Sequence, residues 1–136
     1  MMNQDDVPPV GRGALDAVLR FLPVFERPDY QFGEWNYPEG RFPYYACRGE
    51  VDDFVGALYK AGMIFPFDWP GWQAEARRYL DDPAALDTAG TLTLRKLLIT
   101  HVRQDRFAEG HLGSILERGH ITAILRRLKV IRGEMG

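Results

Sequence analysis

Residues 91–132, TLTLRKLLITHVRQDRFAEGHLGSILERGHITAILRRLKVIR, decide the fold class. Leu94, Leu97, Leu98 and Val102 recur at the three- and four-residue spacings that stack side chains on one helical face, and His101 lies beside that stripe. Thr91 or Thr93 is placed to cap the start of this helix. Gly110 and Gly113 then punctuate the chain, a shorter helix over 111–118 stops at Gly119, and a last helix over 120–132 aligns Ile121, Ile124, Leu125, Leu128 and Ile131. The basic residues near its end suit the helix dipole. Apolar stripes of this kind need mutual burial, and no alternation of strands and helices is present, so the chain reads as mainly α.

The pattern continues upstream. Leu15, Val18, Leu19 and Leu22 predict a helix over 14–22 that Pro23 and Pro28 end or kink. Val51, Phe54, Val55 and Leu58 predict another over 50–61, with Gly62 where a left-handed C-terminal residue belongs. Asp68 and Pro70 open a third helix that runs to about Leu80, and Asp82-Pro83 reads as the cap and first residue of a short one reaching Asp87. Residues 29–48 are different. Tyr30, Phe32, Trp35, Tyr37, Phe42, Tyr44 and Tyr45 surround Pro38, Glu39 and Gly40, which fits a short hairpin, with Pro43 confining its second strand to an edge, or an irregular aromatic-lined loop. The expected architecture is a compact single-domain bundle of about six helices over 14–133, with an irregular or β-hairpin insertion near 30–46 and a loose tail over 1–13.

A chain of 136 residues with a net charge of −2 is long enough to bury a core and too weakly charged to stay open. Its one cysteine, Cys47, excludes an internal disulfide framework and suits a reducing compartment. The N-terminus lacks the basic and apolar regions of a secretory signal, and no apolar run reaches membrane-spanning length, so a cytoplasmic protein without a membrane partner is expected. Charge is unevenly placed: residues 1–90 carry 8 Lys and Arg against 15 Asp and Glu, a net −7, and residues 91–136 carry 9 against 4, a net +5. Such a chain can pair its parts internally, self-associate, or offer its basic part to an acidic partner.

Functional side chains are densest in Asp105-Arg106-Phe107-Ala108-Glu109-Gly110-His111. If the preceding helix extends through them, His101, Asp105 and Glu109 share a face, and His111 or His120 beside Glu109 or Glu117 makes a general-base pair. The structural alternative uses Asp105 and Glu109 as caps or ion-pair partners of Arg103 and Arg106. The spacing matches neither a zinc helix nor a calcium loop, and no metal or cofactor is expected. Arg48 next to Cys47 would lower that thiol's pKa, although a lone cysteine is commonly a packed small hydrophobe. Residues 111–132 trace a helix-turn-helix outline in which Ser114 and Arg118 occupy positions where apolar residues are usual. Arg126, Arg127, Lys129 and Arg132 come late in the second helix, as phosphate contacts or a solvated face would. Phe65, Phe67, Trp69 and Trp72 read as an aromatic ligand box or as core covering the join between two helices.

Several ordered blocks together resemble a known family: Phe67-Asp68-Trp69, Leu94-Arg95-Lys96-Leu97-Leu98, Asp105 to Leu112, and Gly119-His120-Ile121-Thr122-Ala123-Ile124-Leu125-Arg126-Arg127-Leu128, with Gly33-Glu34-Trp35 and Pro43-Tyr44-Tyr45 also fitting. The chain resembles, over about Leu15 to Arg132, the small bacterial proteins classed as domain of unknown function 6508. The resemblance implies a compact cytosolic helical domain and carries no activity to transfer. The leading expectation is a binding or regulatory module acting on a protein partner, or on itself, through the aromatic region and the charge-divided surface. Trp35, Tyr45, Trp69 and Arg106 are its candidate contacts, with Arg126, Arg127, Lys129 and Arg132 as the basic set. The rivals are a small enzyme using Asp105, Glu109, His111 and His120, and nucleic-acid backbone binding by the basic set.

Overall fold

The structure, a computed structural model, describes residues 7–136. It is mainly α. Seven α-helices, two 3-10 segments and one hairpin are present among the described residues: α1 (Arg12–Leu19), α2 (Leu22–Phe25), β1 (Gly33–Asn36), β2 (Tyr44–Cys47), α3 (Gly49–Lys60), α4 (Gln73–Asp81), α5 (Thr91–Gln104), α6 (His111–Glu117) and α7 (His120–Glu134). The 3-10 segments are Pro70–Trp72 and Pro83–Thr88. The count exceeds six because the first predicted helix divides. Pro23 neither ends nor kinks a helix; it lies in the first turn of α2, where its missing N–H costs no hydrogen bond.

α7 is the element around which the others pack, lying against α1, α2, α5, α6 and the Pro83–Thr88 segment. Its stripe of Ile121, Ile124, Leu125 and Leu128 is fully buried with Leu94, Leu97 and Leu98 of α5, Leu15 and Val18 of α1, and Phe54 and Leu58 of α3. Burial of each such side chain contributes about 2 kcal/mol. Gly62 ends α3 in the left-handed conformation, φ +75°, as its place in the sequence requires.

Two of three expected helix starts are built differently. Asp68 does accept from the Gly71 amide at 3.2 Å, but Asp82 makes no side-chain cap. The N-cap of α5 is Gly90, with Thr91 already helical, so neither threonine caps it. Residues 1–6 of the expected tail lie outside the described residues. The rest of that segment is not loose, since Val10 packs against the core and the Pro8 carbonyl accepts a hydrogen bond from Arg95 at 2.9 Å.

Arg95 is 3% exposed and has no acidic partner among the described residues. Its guanidinium donates to the carbonyls of Gly62 and Met63, at 2.9 and 3.0 Å, and to Pro8. It also lies over the Phe65 ring, 4.7 Å from the centroid. A planar donor fork therefore gathers the segment leading into α1, the exit of α3 and the start of the next segment onto α5.

Candidate functional site

The insertion is a hairpin. β1 and β2 pair antiparallel with Trp35 opposite Tyr45 and Gly33 opposite Cys47. Pro43 immediately precedes β2, so no ladder hydrogen bond is lost to it. Arg48 N–H donates to Phe32 C=O at 2.8 Å, which makes Trp35 opposite Tyr45 a non-hydrogen-bonded pair with close side chains, and the rings meet edge to face at 5.7 Å.

Two glycines receive these rings. A β-carbon on Gly110, whose φ is +80°, would stand 2.6 Å from the Trp35 indole, and one on Gly113 would overlap the Tyr45 ring. The backbone N–H of Tyr45 points outward from the ladder and donates to Glu109 at 2.7 Å, while its hydroxyl donates to Glu117 at 3.3 Å. Burial beside Glu117 pushes the Tyr45 phenol up to about 12, so it remains a donor at neutral pH. Trp35 and Tyr45, expected as docking residues, thus anchor the hairpin on the α5–α6 turn and α6. Trp35 stays 43% exposed, and Tyr44, Tyr37 and Phe42 are 48, 75 and 92% exposed on the hairpin's other face and tip. Cys47 is half-buried, and burial together with Asp52, Asp105 and Glu109 pushes its thiol up to about 11. Arg48 donates instead to Gln31 C=O, and the expected activation of the thiol is reversed.

The carboxylates of the 105–111 segment serve the backbone. α5 ends at Gln104, so Glu109 does not continue the helical face of His101 and Asp105. Asp105 accepts from the Leu112 N–H at 2.9 Å, holding the first turn of α6, and Glu109 holds the hairpin. Neither forms an ion pair with Arg103 or Arg106 among the described residues. The histidines meet each other, not the carboxylates. His101 Nδ1 and His111 Nε2 share a hydrogen bond at 3.0 Å with stacked rings, and the His120 ring stands perpendicular to His101 at 5.3 Å. His101 and His120 are buried, each with an Nε2 atom lacking a hydrogen-bond partner among the described residues. Burial, reinforced by neighbouring Arg118, pushes His101 down to about 3 and His120 down to about 4; burial lowers His111 as well. At neutral pH the cluster is uncharged. No group of three or more His, Cys, Asp or Glu among the described residues has metal-holding geometry. His101 follows Leu94, Leu97 and Leu98 by helical steps and His120 precedes Ile124 by four, so their burial was encoded in the stripes.

The basic set on α7 is largely engaged. Arg126 pairs with Glu26 at 2.9 Å, Arg132 with both oxygens of Asp16 at 2.8 and 3.2 Å, and Arg127 donates to Ala89 C=O at 2.9 Å. Lys129 is exposed. The first residues of α7, His120 to Thr122, are buried. Among the four aromatics after α3, Phe65, Phe67 and Trp72 pack together, whereas Trp69 turns to Phe107, with ring centroids 5.9 Å apart. Arg106 and Arg103 both meet Tyr59, through its hydroxyl at 3.4 Å and its ring at 5.7 Å. No helix among the described residues is long and apolar enough to cross a membrane.

No curated protein and no solved structure matches the chain. Residues 11–134, which take in every helix and both strands among the described residues, match the Family of unknown function (DUF6508), and the chain belongs to that family.

Proposed function

We propose that the chain is a cytoplasmic binding module that captures a protein partner through the tip and outer face of its hairpin. The observation that carries this reading is the exposure of Tyr37, Phe42 and Tyr44 on an element whose base is fixed by Tyr45, Glu109 and Glu117. Large aromatic side chains lose little entropy on contact, and a clamped hairpin is ordered before the partner arrives. Glu34 and Glu39 outnumber Arg41 on the same segment and residues 1–90 carry a net −7, so the surface suits a partner offering apolar side chains with some basic ones. The lone thiol, Cys47, fits a reducing compartment.

The test compares partner capture by the wild-type chain and by the triple variant Tyr37→Ala, Phe42→Ala, Tyr44→Ala, with Val130→Ala as an exposed apolar control. Loss of a defined, stoichiometric complex in the triple variant alone, with its melting temperature retained, supports the reading. Equal capture by all three proteins refutes it, and if the captured species is a second copy of this chain, the partner is the chain itself.

A further inference from the structure

We propose that the cleft between α4, α5 and α6 binds the phosphate group of a small phosphomonoester. The cleft encloses about 390 Å³ and is lined by Arg77 of α4, His101 and Gln104 of α5, His111 and Ser114 of α6, and Arg118 at the end of α6. No Asp or Glu is among its lining residues.

Charge accounting points to this place, since Arg103 and Arg106, which line a separate cleft beside Phe67, are engaged by the Tyr59 ring and hydroxyl. The conspicuous cations of α7 are bound to Glu26, Asp16 and Ala89, and Arg95 is bound to three carbonyls. The side chains of Arg77 and Arg118 enter no hydrogen bond or ion pair among the described residues, yet both residues line one concave surface. Two guanidiniums without a counter-charge in a concave, partly apolar wall focus positive potential there. The floor adds a second sign. His101, 2% exposed, shares a hydrogen bond with His111 and leaves its other ring nitrogen without a partner among the described residues. Burial, with Arg118 acting in the same direction, keeps His101 and His120 neutral beside a cation that pairs with no carboxylate among the described residues.

The donors outnumber what one carboxylate accepts. Two arginine forks, the Ser114 hydroxyl, the Gln104 amide and the outer nitrogen of His111 match a phosphate group with its three terminal oxygens. The volume lies within the range of small-ligand sites. An anion here would offset the repulsion between Arg118 and the histidines and raise the proton affinity of His111.

The experiment titrates the full chain with glycerol phosphate, inorganic phosphate, acetate and chloride at matched ionic strength, following melting temperature and the ring signals of His111. A saturable rise in melting temperature with both phosphates, accompanied by movement of the His111 signals, is expected. In the folded Arg77→Gln, Arg118→Gln variant the phosphate affinity falls by about tenfold or more, and in Lys129→Gln it is unchanged. Glycerol phosphate binding more tightly than inorganic phosphate supports an ester as ligand, and the reverse makes free phosphate the ligand and overturns that assignment. Equal effects of acetate, or equal response in the double variant, overturn the proposal, as does the absence of saturation. His111→Gln keeps it falsifiable if the double variant does not fold, because weakened binding is expected there too.

Discussion

Trp35 and Tyr45, on one face of the hairpin, rest against Gly110 and Gly113, whereas Tyr37, Phe42 and Tyr44, drawn from the same short segment, stand in solvent. The cations divide in the same way. Arg126, Arg127 and Arg132 hold α7 to α2, the Pro83–Thr88 segment and α1, while Arg77 and Arg118 hold nothing among the described residues. Residue type does not separate the two groups. What separates them is whether the fold has brought a matching partner to that place: a bare glycine under a ring, or a carboxylate beside a guanidinium. The side chains without an internal match are the ones on which the proposed binding rests.

The largest effect is expected where an internally matched residue is buried. Replacing Arg95 by Met removes three charge-assisted hydrogen bonds and leaves the Gly62, Met63 and Pro8 carbonyls unmatched, costing about 3 kcal/mol in a denaturant titration. A loss below about 1 kcal/mol would show that the buried guanidinium contributes little beyond its stem packing.

Acidification should act on a comparable scale. His101 and His120 hold pKa values of about 3 and about 4 in the folded chain, below the ordinary 6.5, so the unfolded chain binds more protons throughout the interval. Stability is complete above pH 6.5 and declines as the pH falls toward the folded values, by on the order of 3 kcal/mol for each of the two histidines at pH 4. A folded His101→Gln chain should show a shallower decline, and an identical slope would remove His101 from the explanation.

The hairpin anchor comes next. Gly113→Val drives a branched side chain into the Tyr45 ring and should cost about 2 kcal/mol, with loss of the Trp35 and Tyr45 near-ultraviolet signals. Retention of both signals would mean that α6 shifts to accommodate the side chain. By contrast, Arg126→Ala breaks an exposed pair with Glu26 and should cost less than about 1 kcal/mol, with a loss that shrinks in salt. The smallest change in stability, within about 0.5 kcal/mol, belongs to the Tyr37, Phe42 and Tyr44 triple variant, the same one expected to lose its partner.

The helical body was legible because its information is local. Leu94, Leu97, Leu98 and Val102, or Ile121, Ile124, Leu125 and Leu128, state a buried face by their spacing, and Gly62 states a helix end. Helix starts were less legible. Thr91 and Asp82 have capping chemistry, but Gly90 and an uncapped 3-10 turn take those roles once packing fixes the chain path. The site was legible in its parts and not in its assembly. Asp105 and Glu109 look like acid-base residues in the sequence, yet each meets a backbone N–H, and Tyr45, the partner of Glu109, is 64 positions away. Asp16 and Glu26 lie about a hundred residues from the arginines they bind, beyond any spacing rule. The meeting of His101, His111 and His120 depends on how α5, α6 and α7 cross; only the place of His101 and His120 on apolar stripes announced their burial.

The central claim is that the unmatched aromatic face of the hairpin is where a partner docks. The most direct measurement places a photo-crosslinking side chain, one position at a time, at Phe42, Tyr37, Tyr44, Phe107 and Val130 in the full chain and irradiates living cells. All five positions are exposed, so solvent access alone does not distinguish them. The same discrete adduct from positions 37, 42 and 44, and none from 107 or 130, is the expected result; adducts spread evenly over all five, or confined to 107 and 130, would contradict it.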